Sequence, residues 1–386
     1  MKVSGIICEY NPFHNGHAYH IEQTRKNGAD YIVAVMSGNF VQRGDVAMLD
    51  KFTRAKLAVK SGADLVIELP VAYCLSSAEN FAKGAVHLLD GLGCIDEISF
   101  GSESGDIDKL IYAMNKADEI SRLESVRMFM ENGYTYPRAV TEILREVDKE
   151  SAEIILEPNN ILAVEYIRAL RYFKSGIKPF TIKRAGALHD STETSQEFAS
   201  ASYIREHISS ARKFVPEIWA DALESDTALL ERLEKVILYR IRTISDEELF
   251  DTSDISNGLF RRIYGNNSNS LNDLFESVKT KCYTMARIKR VILSLLIGIK
   301  KTDTAGFPPY ARVIAFNERG RDILAVTKKT KKIPVGMSLA KLGGLNCDAH
   351  RFAELEARAT DIYGLALENI PTAGADYRAK IVISQE

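Results

Sequence analysis

The sequence predicts an α/β fold, with a parallel sheet in its first half and a mainly α-helical second half. Apolar runs of strand length alternate with amphipathic runs of helix length, and glycines follow the helical runs. The strand-like runs carry few polar residues, which is typical of parallel sheets because both of their faces are covered. Right-handed crossovers then bring the loops after the strands to one edge, as in a Rossmann-like domain.

The first hundred residues supply this alternation. Strands are predicted at residues 5–9, 31–36, 65–69 and 95–100, and helices at residues 17–26, 50–61 and 78–90. Gly28, Gly62 and Gly91 lie just past the predicted helix ends, where glycine commonly terminates a helix. The order of elements is therefore strand, helix, strand, as a parallel sheet requires.

The pattern turns helical after Ser104. Helices are predicted at residues 107–120, 123–131, 137–147, 160–173 and 200–210, with one returning strand at residues 178–184. Further on, long helices are predicted at residues 228–242 and 278–300, and short strands at residues 313–316 and 381–384. We therefore predict two domains, residues 1–212 and residues 213–386.

Composition excludes several classes of protein. The 386 residues are 46% hydrophobic and 26% charged, as in a soluble globular protein, and no apolar run approaches the ~20 residues of a membrane span. The five cysteines are widely spaced and form no C-x-x-C pair, which argues for a reducing cytoplasm and against structural zinc. We expect a cytoplasmic protein with no membrane segment and no signal peptide. The sequence does not indicate an oligomeric state.

Charge is unevenly distributed along the chain. The formal net charge is −2, but residues 279–332 hold fourteen Lys and Arg against three acids, a formal charge of +11. A nearly neutral protein with one basic block is suited to binding a polyanion such as a nucleic acid. The alternative is a solvated basic surface without a partner.

The pattern His14-Asn15-Gly16-His17 lies where the first strand feeds the first helix. A helix N-terminus offers unpaired N–H groups to a phosphate, and Gly16 permits close approach of the backbone. Residues three apart share a helix face, so both imidazoles can act on one phosphate. Chance, a capping role, or metal binding by His14, His17 and His20 are the alternatives. Because no carboxylate or cysteine ligands accompany them, we predict no metal site.

The run from Cys8 to His17, C-E-Y-N-P-F-H-N-G-H, resembles the opening of the tRNA(Met) cytidine acetate ligases, a family of the HIGH-motif nucleotidyltransferase superfamily. Similar segments follow in order at residues 35–44, 61–70, 100–103, 158–162, 182–184 and 199–205. The resemblance covers nearly all of residues 1–212 and is looser beyond them. One departure is Tyr203, where the family more commonly has threonine.

The resemblance implies a two-step reaction. ATP and free acetate form acetyl-adenylate with release of pyrophosphate, and the acetyl group then passes to N4 of the wobble cytidine of elongator tRNA(Met). ATP is a co-substrate, and Mg²⁺ is expected with it. Residues 1–212 would activate acetate with ATP, and residues 213–386 would bind the tRNA.

The resemblance also implies site residues. His14 and His17 are the predicted catalytic residues. The predicted ATP-binding residues are Ile7, Cys8, Glu9, Tyr10, Asn11, Pro12, Phe13, His14, Asn15, Gly16, His17, Ala18, Tyr19, His20, Gly101, Asn159, Asn160, Arg184, Ser200, Ser202 and Arg205. One asparagine of the pair would contact the nucleotide, and the other would cap a helix. Candidates for acetate or cytidine are Gln42, Arg43, Lys51 and Arg54, although Lys51 and Arg54 also fit a solvated helix face.

The basic block supplies candidates for tRNA contact along one helical face. They are Lys279, Lys281, Tyr283, Arg287, Lys289, Arg290, Lys300 and Lys301, with Tyr283 placed to stack on an unpaired base. Two other functions remain open on the residues. One is a small-molecule adenylyltransferase of the same superfamily, which needs no large basic region. The other is a nucleotide- or RNA-binding protein without catalysis, which needs no paired imidazoles.

Overall fold

A computed structural model describes residues 1–132, 134–184 and 198–384. The strands are β1 (Val3–Cys8), β2 (Tyr31–Ser37), β3 (Phe40–Val41), β4 (Asp45–Val46), β5 (Leu65–Leu69), β6 (Glu97–Ser102), β7 (Lys178–Lys183), β8 (Ala311–Phe316), β9 (Val335–Gly336) and β10 (Val382–Ile383). Within the described ranges, no helix combines the length and the apolar character that a membrane crossing requires.

The helices of the first half surround the sheet. They are α1 (Asn15–Lys26), α2 (Lys51–Lys60), α3 (Val71–Cys74), α4 (Ala78–Leu92), α5 (Ile107–Ile120), α6 (Glu124–Glu131), α7 (Tyr136–Val147), α8 (Lys149–Ile154), α9 (Pro158–Tyr172) and α10 (Ala201–Glu206). The predicted strands and helices of the first hundred residues are confirmed, each within two residues of its observed ends.

Helices dominate the second half. They are α11 (Glu217–Leu223), α12 (Glu234–Thr243), α13 (Asp246–Asp251), α14 (Asn257–Ile263), α15 (Leu271–Val278), α16 (Met285–Ile297), α17 (Glu318–Thr330), α18 (Leu339–Gly343), α19 (Cys347–Gly364) and α20 (Ala375–Arg378). Short 3-10 helices occur at Ile208–Ser210, Arg212–Phe214, Leu230–Leu233 and Lys301–Thr304.

The main sheet has the order β10-β8-β5-β2-β1-β6-β7, and β9 pairs with β8. Strands β5, β2, β1, β6 and β7 run parallel, which confirms the predicted parallel sheet. β8 joins the edge of β5 in antiparallel register, with Leu65 opposite Phe316. The segments on either side of residue 212 therefore share one sheet. The C-terminal strands cover a β5 edge that would otherwise expose unpaired backbone groups.

The core lies on both faces of this sheet, because side chains alternate along each strand. Val33 and Val35 of β2 belong to one buried cluster, which also includes residues of α4, α16 and α19. Ile32, Ala34 and Met36 belong to a second cluster with Trp219. Both clusters draw on residues from each side of residue 212.

The helix predicted at residues 278–300 is interrupted in the structure. α15 ends at Val278, Thr280 and Tyr283 form an isolated bridge, and α16 begins only at Met285. The Thr284 hydroxyl accepts the N–H of Arg287, which starts a new helix in the way that threonine caps do. The basic residues before Met285 therefore lie outside the helix.

Candidate functional site

The two histidines of the opening motif are held by their own loop. His14 caps α1, its Nδ1 accepting the N–H of Gly16 at 3.0 Å, while Nδ1 of His17 accepts the N–H of His14 at 3.2 Å. Their rings stack with centroids 3.9 Å apart. An added Cβ on Gly16 would lie 2.9 Å from His14, so glycine is what permits this packing. The capping alternative and the paired-imidazole prediction thus describe one arrangement.

The same loop keeps these imidazoles neutral. Burial, together with the charges of the nearby Arg184 and Arg205, lowers the pKa of His14 to about 3. Burial also lowers the pKa of His17 well below its ordinary value, with His14 as a second cause. A neutral imidazole that accepts at Nδ1 carries its proton on Nε2. At neutral pH each ring therefore has an Nε2–H donor left for a ligand.

His20 completes the histidine row. Its Nε2 is 3.0 Å from the hydroxyl of Ser99, which also bonds Thr24 at 2.7 Å. Burial and the charge of Arg184 lower the pKa of His20 to about 4. One nitrogen of each of the three histidines is thus already bonded to the protein.

A continuous cleft opens beside these rings at the carboxyl edge of the parallel strands. Its first part, which we call the nucleotide wing, follows β6 and β7 and is lined by Gly101, Asn159 and Arg184. Other lining residues are Ile7, Gly16, Tyr19, Phe100, Leu162, Tyr166, Ile182, Lys183, Phe198 and Ala199. A Cβ on Gly101 would lie 3.5 Å from Arg184, in ordinary contact, so the bare backbone leaves its space to the cleft.

The asparagine pair divides into two roles, and neither residue is the N-cap of α9. Asn159 lines the cleft, and its Oδ1 accepts a hydrogen bond from Arg184 at 3.2 Å. Asn160 is buried, and its Oδ1 accepts the N–H groups of Glu103 and Ser104. The backbone N–H of Asn160 donates to the Glu103 carboxylate at 2.9 Å, so a carboxylate from the β6 loop satisfies the helix start. Asn160 therefore braces the site from behind.

Ser200, Ser202 and Arg205 lie across the cleft from β1. Ser200 caps α10 by accepting the N–H of Tyr203 at 3.1 Å, and Arg205 donates to Ser202 at 3.0 Å. Arg205 also donates to the carbonyl of Asn11 at 2.8 Å, which fixes it to the histidine loop. All three line the same cleft as His14 and His17.

The second part of the cleft, which we call the hairpin wing, lies over β1 and the hairpin β3–β4. It is lined by Glu9, Gln42, Arg43, Asp45 and Arg290. Oε1 of Glu9 accepts the N–H of Gln42 at 2.7 Å and the Ser37 hydroxyl at 3.3 Å. Arg290 reaches this wing from α16 and donates to the carbonyl of Gln42 at 3.2 Å.

Lys51 and Arg54 do not line the cleft, which corrects their assignment to acetate or cytidine. Lys51 is 1% exposed, and its Nζ lies 2.5 Å from Glu68 and 2.6 Å from Asp376. Arg54 is fully buried and donates to the carbonyls of Leu49, Glu9, Ser37 and Gly38. The alternative of a solvated helix face is wrong as well, since the charges are enclosed by strands and by the C-terminal segment.

We call Lys51, Glu68, Arg312, Glu356 and Asp376 the buried ion cluster. The carboxylates of Glu68, Glu356 and Asp376 approach within 4.8 Å of one another. Among the described residues, this is the one group of three or more potential metal-ligating side chains at such distances. The space between them is taken by Lys51 and by Arg312, which lies 2.9 Å from Glu68 and 2.6 Å from Asp376. This group holds protein cations in the positions that a metal would need.

Several predicted ATP-binding residues shape the loop instead of lining the cleft. Phe13 is fully buried and stacks on Trp219 with centroids 5.1 Å apart. Asn15 donates to the carbonyl of Lys213, and Ala18 packs against the second core cluster. Pro12 is also buried and absent from the cleft lining. The residues of this run that line the cleft are Ile7, Cys8, Glu9, Tyr10, Asn11, His14, Gly16, His17, Tyr19 and His20.

The basic block does not form one surface. Arg312 lies in the buried ion cluster, whereas Arg319 pairs with Asp64 and Lys332 with Asp90 at the opposite edge of the sheet. The basic residues therefore do not share the single helical face that was predicted for tRNA contact.

Most of the predicted tRNA-contact residues already have partners. Arg287 and Arg290 both pair with Asp254. Tyr283 is partly buried against Gly258. Lys279 pairs with Glu276, Lys300 pairs with Asp251, and Lys301 lies over the ring of Phe250. Lys281 is exposed, and the aliphatic stem of Lys289 contacts the hairpin at Gly44.

Sequence reasoning missed Asp45, Tyr166 and Leu162 as cleft residues. Asp45 follows the segment at residues 35–44 by one position, so its place beside Gln42 and Arg43 was the available signal. Tyr166 and Leu162 read as the apolar face of a helix, and only the packing of α9 turns them towards the cleft.

A parallel sheet with paired neutral histidines at a helix start, facing a cleft at its carboxyl edge, defines a nucleotidyltransferase of the HIGH class. The family model described as HIGH Nucleotidyl Transferase matches residues 1–377, and the chain belongs to that family. Within it, the chain belongs to the tRNA(Met) cytidine acetate ligases, so it is an enzyme of the ligase class.

The relatives match over nearly their full length. The chain is 40% identical over 397 residues to the tRNA(Met) cytidine acetate ligase of Thermoanaerobacter sp. (strain X514), covering 98% of each chain. It is 41% identical over 406 residues to that of Caldanaerobacter subterraneus subsp. tengcongensis, covering 99% of this chain and 100% of the relative.

Two solved structures share the whole fold. Apo TmcAL of Thermotoga maritima has a TM-score of 0.91 and 31% identity, covering 99% of each chain. TmcAL of the same organism bound with alpha-thio ATP has a TM-score of 0.89 and 30% identity, covering 100% of each chain.

Proposed function

We propose that this chain joins acetate to the wobble cytidine of elongator tRNA(Met) in two steps that share one cleft. In the first step, acetate attacks the α-phosphate of ATP, giving acetyl-adenylate and pyrophosphate. In the second step, the cytidine N4 amine attacks the acetyl carbonyl carbon, giving N4-acetylcytidine and AMP.

The observation that carries the proposal is the bonding of His14 and His17. Each Nδ1 is committed to a backbone N–H of the loop, so each neutral ring has Nε2–H to offer the cleft. Two donors fixed in place can stabilise charge on the α-phosphate oxygens as pyrophosphate leaves. Because burial keeps the rings neutral, they act as hydrogen-bond donors at neutral pH and need not transfer a proton.

We assign the adenosine to the nucleotide wing. A similar protein, TmcAL of Thermotoga maritima, is known in a crystal structure with bound alpha-thio ATP. Gly101 leaves room for the nucleotide beside the strand, Asn159 offers its amide, and Arg184 lies at the rim. Ser200, Ser202 and Arg205 are then placed to hold the departing pyrophosphate with hydroxyl and guanidinium donors.

Magnesium would enter with the ATP. Among the described lining residues, the carboxylates are Glu9 and Asp45, and Glu9 already accepts hydrogen bonds from Gln42 and Ser37. That donor set fits an ion held by phosphate oxygens and water. When bound, the ion would neutralise charge on the triphosphate.

The hairpin wing would receive acetate and then cytidine. Gln42 and Arg43 line it, and Arg290 brings one residue of the basic block into the cleft itself. Lys281 is exposed, and Lys289 lies beside the hairpin at Gly44 with its ammonium over the ring of Phe275; we propose both as tRNA backbone contacts. Five free cysteines, two of them buried, support a cytoplasmic setting.

Exchange of labelled pyrophosphate into ATP tests the first step. We expect exchange that depends on acetate, and N4-acetylcytidine in digested tRNA(Met) when ATP, acetate and tRNA are combined. Exchange with another acceptor in place of acetate would support the small-molecule alternative. Tight tRNA binding with no exchange at all would support the non-catalytic one.

A variant tests the histidines directly. His14→Asn keeps a side-chain acceptor for the cap but removes the ring donor. We expect roughly a 10²- to 10³-fold loss of exchange with little change in melting temperature. Exchange at the wild-type rate would remove His14 from the catalytic step.

A further inference from the structure

The hairpin wing contains a carboxylate that the two-step scheme has not used. Asp45 opens β4, and it lines the cleft together with Glu9, Gln42, Arg43 and Arg290. The nucleotide wing lies on the other side of the histidines, over β6 and β7. Asp45 therefore lies in the wing that remains for the acceptor cytidine once a nucleotide occupies the nucleotide wing.

The hairpin β3–β4 packs tightly against α16 of the C-terminal half. Gly44 has φ of +75°, and an added Cβ there would lie 2.6 Å from both the backbone nitrogen of Arg290 and the Cβ of Lys289. Arg290 also donates to the Gln42 carbonyl. Because the turn has no room to shift towards α16, the residue that follows Gly44 is held at a fixed position in the cleft.

The carboxylate of Asp45 has unused acceptor capacity. Oδ1 accepts the N–H of the adjacent Val46 at 2.9 Å, and within the described ranges no cation lies at ion-pair distance from it. Burial raises the pKa of Asp45, while Lys289 and Arg205 act in the opposite direction from further away. Glu9, the other carboxylate of this wing, already accepts two hydrogen bonds at Oε1.

Resting on the proposed function, we propose that Asp45 recognises the exocyclic N4 amino group of the acceptor cytidine and takes its proton during acetyl transfer. An amino group donates hydrogen bonds, and a carboxylate is the acceptor that complements it. Uridine presents an oxygen at the same position, so the carboxylate would repel it. Asp45 would thus select cytidine over uridine.

The step balances without another reactant. The N4 lone pair forms the C–N bond to the acetyl carbon, and the bond from that carbon to the AMP phosphate oxygen breaks. AMP leaves with the electron pair, and the proton lost by N4 passes to the Asp45 carboxylate. A positioned base of this kind contributes about 10²- to 10⁴-fold to a rate.

The test separates the two half-reactions in Asp45→Asn, which keeps the size and the acceptor for Val46 but removes the charge. We expect acetate-dependent ATP–pyrophosphate exchange at the wild-type rate, and acetyl transfer to tRNA slowed by about 10²-fold or more. The matched control is Asp273→Asn, which removes an exposed carboxylate in α15 and is expected to leave both reactions unchanged. Unimpaired transfer, or equal loss of both reactions, would overturn the role of Asp45.

A measurement on the unchanged protein keeps the proposal testable if the variant does not fold. Wild-type protein should bind tRNA(Met) carrying the wobble cytidine about tenfold more tightly than the same tRNA with uridine there. Equal affinity would overturn the recognition role. Wild-type protein that makes no N4-acetylcytidine at all would refute the proposed function, which is a different outcome from an active wild type alongside an equally active Asp45→Asn.

Discussion

His14 and His17 of the cleft and the buried ion cluster around Lys51 are both withdrawn from water, but the cluster pairs its side chains with opposite charges, whereas the two histidines accept backbone N–H groups. In the cluster, burial opposes the charge of Lys51, yet the carboxylates of Asp376 and Glu68 outweigh it and raise the pKa of the lysine. In the cleft, burial is unopposed and lowers the pKa of His14 and His17. Paired burial fixes a structure, whereas unpaired burial prepares neutral donors for a ligand.

The two regions also differ in where their parts originate. The histidine loop is local, since Gly16 and the two rings bond within four residues. The cluster joins α2 and β5 to β8, α19 and α20, so it connects the strands of the first half to the end of the chain. The hydrogen bonds of the two rings therefore depend on a short motif, whereas the ion cluster depends on the whole fold.

Breaking the pairing in the cluster should have the largest effect. Lys51→Met removes one of the two cations, Lys51 and Arg312, that Glu68 and Asp376 share in a site that water does not reach. Removal of one partner of a buried pair costs about 3–5 kcal/mol of unfolding free energy. Urea unfolding measures this loss.

The control for Lys51→Met is Lys109→Met, which breaks the exposed pair with Glu150 and should leave the unfolding midpoint nearly unchanged. One other result would support the prediction from sequence that Lys51 contacts acetate or cytidine. If Lys51→Met unfolds at the wild-type urea concentration but raises the KM for acetate, Lys51 belongs to the substrate site.

The sequence predicted the histidine site because its signals are local. An apolar strand, a glycine and two histidines at a helix start are all read within the first twenty residues. In the helix that carries Lys51 and Arg54, both residues are charged and lie among other polar residues. Local periodicity therefore predicts a solvated face there. Lys51 is paired by Asp376 from the far end of the chain, and Arg54 donates to carbonyls of other segments such as those of Glu9 and Ser37. Long-range contacts of this kind, like the pairing of Leu65 with Phe316, are invisible to local periodicity. The split of the basic block has the same cause.

A substitution that adds a methyl group to the cleft wall tests whether that wall binds ATP or contributes to stability. Gly101→Ala places a methyl group in ordinary contact with Arg184, so unfolding should be unchanged. If adenosine packs on that backbone, the added carbon should raise the KM for ATP by roughly 10- to 200-fold. ATP–pyrophosphate exchange at varied ATP gives this number. Gly176→Ala, where a Cβ meets nothing within 4 Å, is the control, and equal KM values for the two variants would place the nucleotide elsewhere.

The smallest expected effect is on the pH dependence of the free energy of unfolding. It distinguishes the buried histidines from the buried ion cluster within one protein. The pKa of His20 is about 4 in the folded chain against 6.5 ordinarily, so between these values the unfolded state binds the proton and the folded state does not. The free energy of unfolding contributed by this group is therefore complete above pH 6.5 and falls as pH drops, by at most about 1.4 kcal/mol per unit. His20→Gln, which retains a polar partner for Ser99, should show a shallower decline between pH 6.5 and 5 in urea unfolding. The ion cluster is the same in both proteins and cancels from the difference, so parallel pH profiles would mean that His20 is not held neutral by the fold.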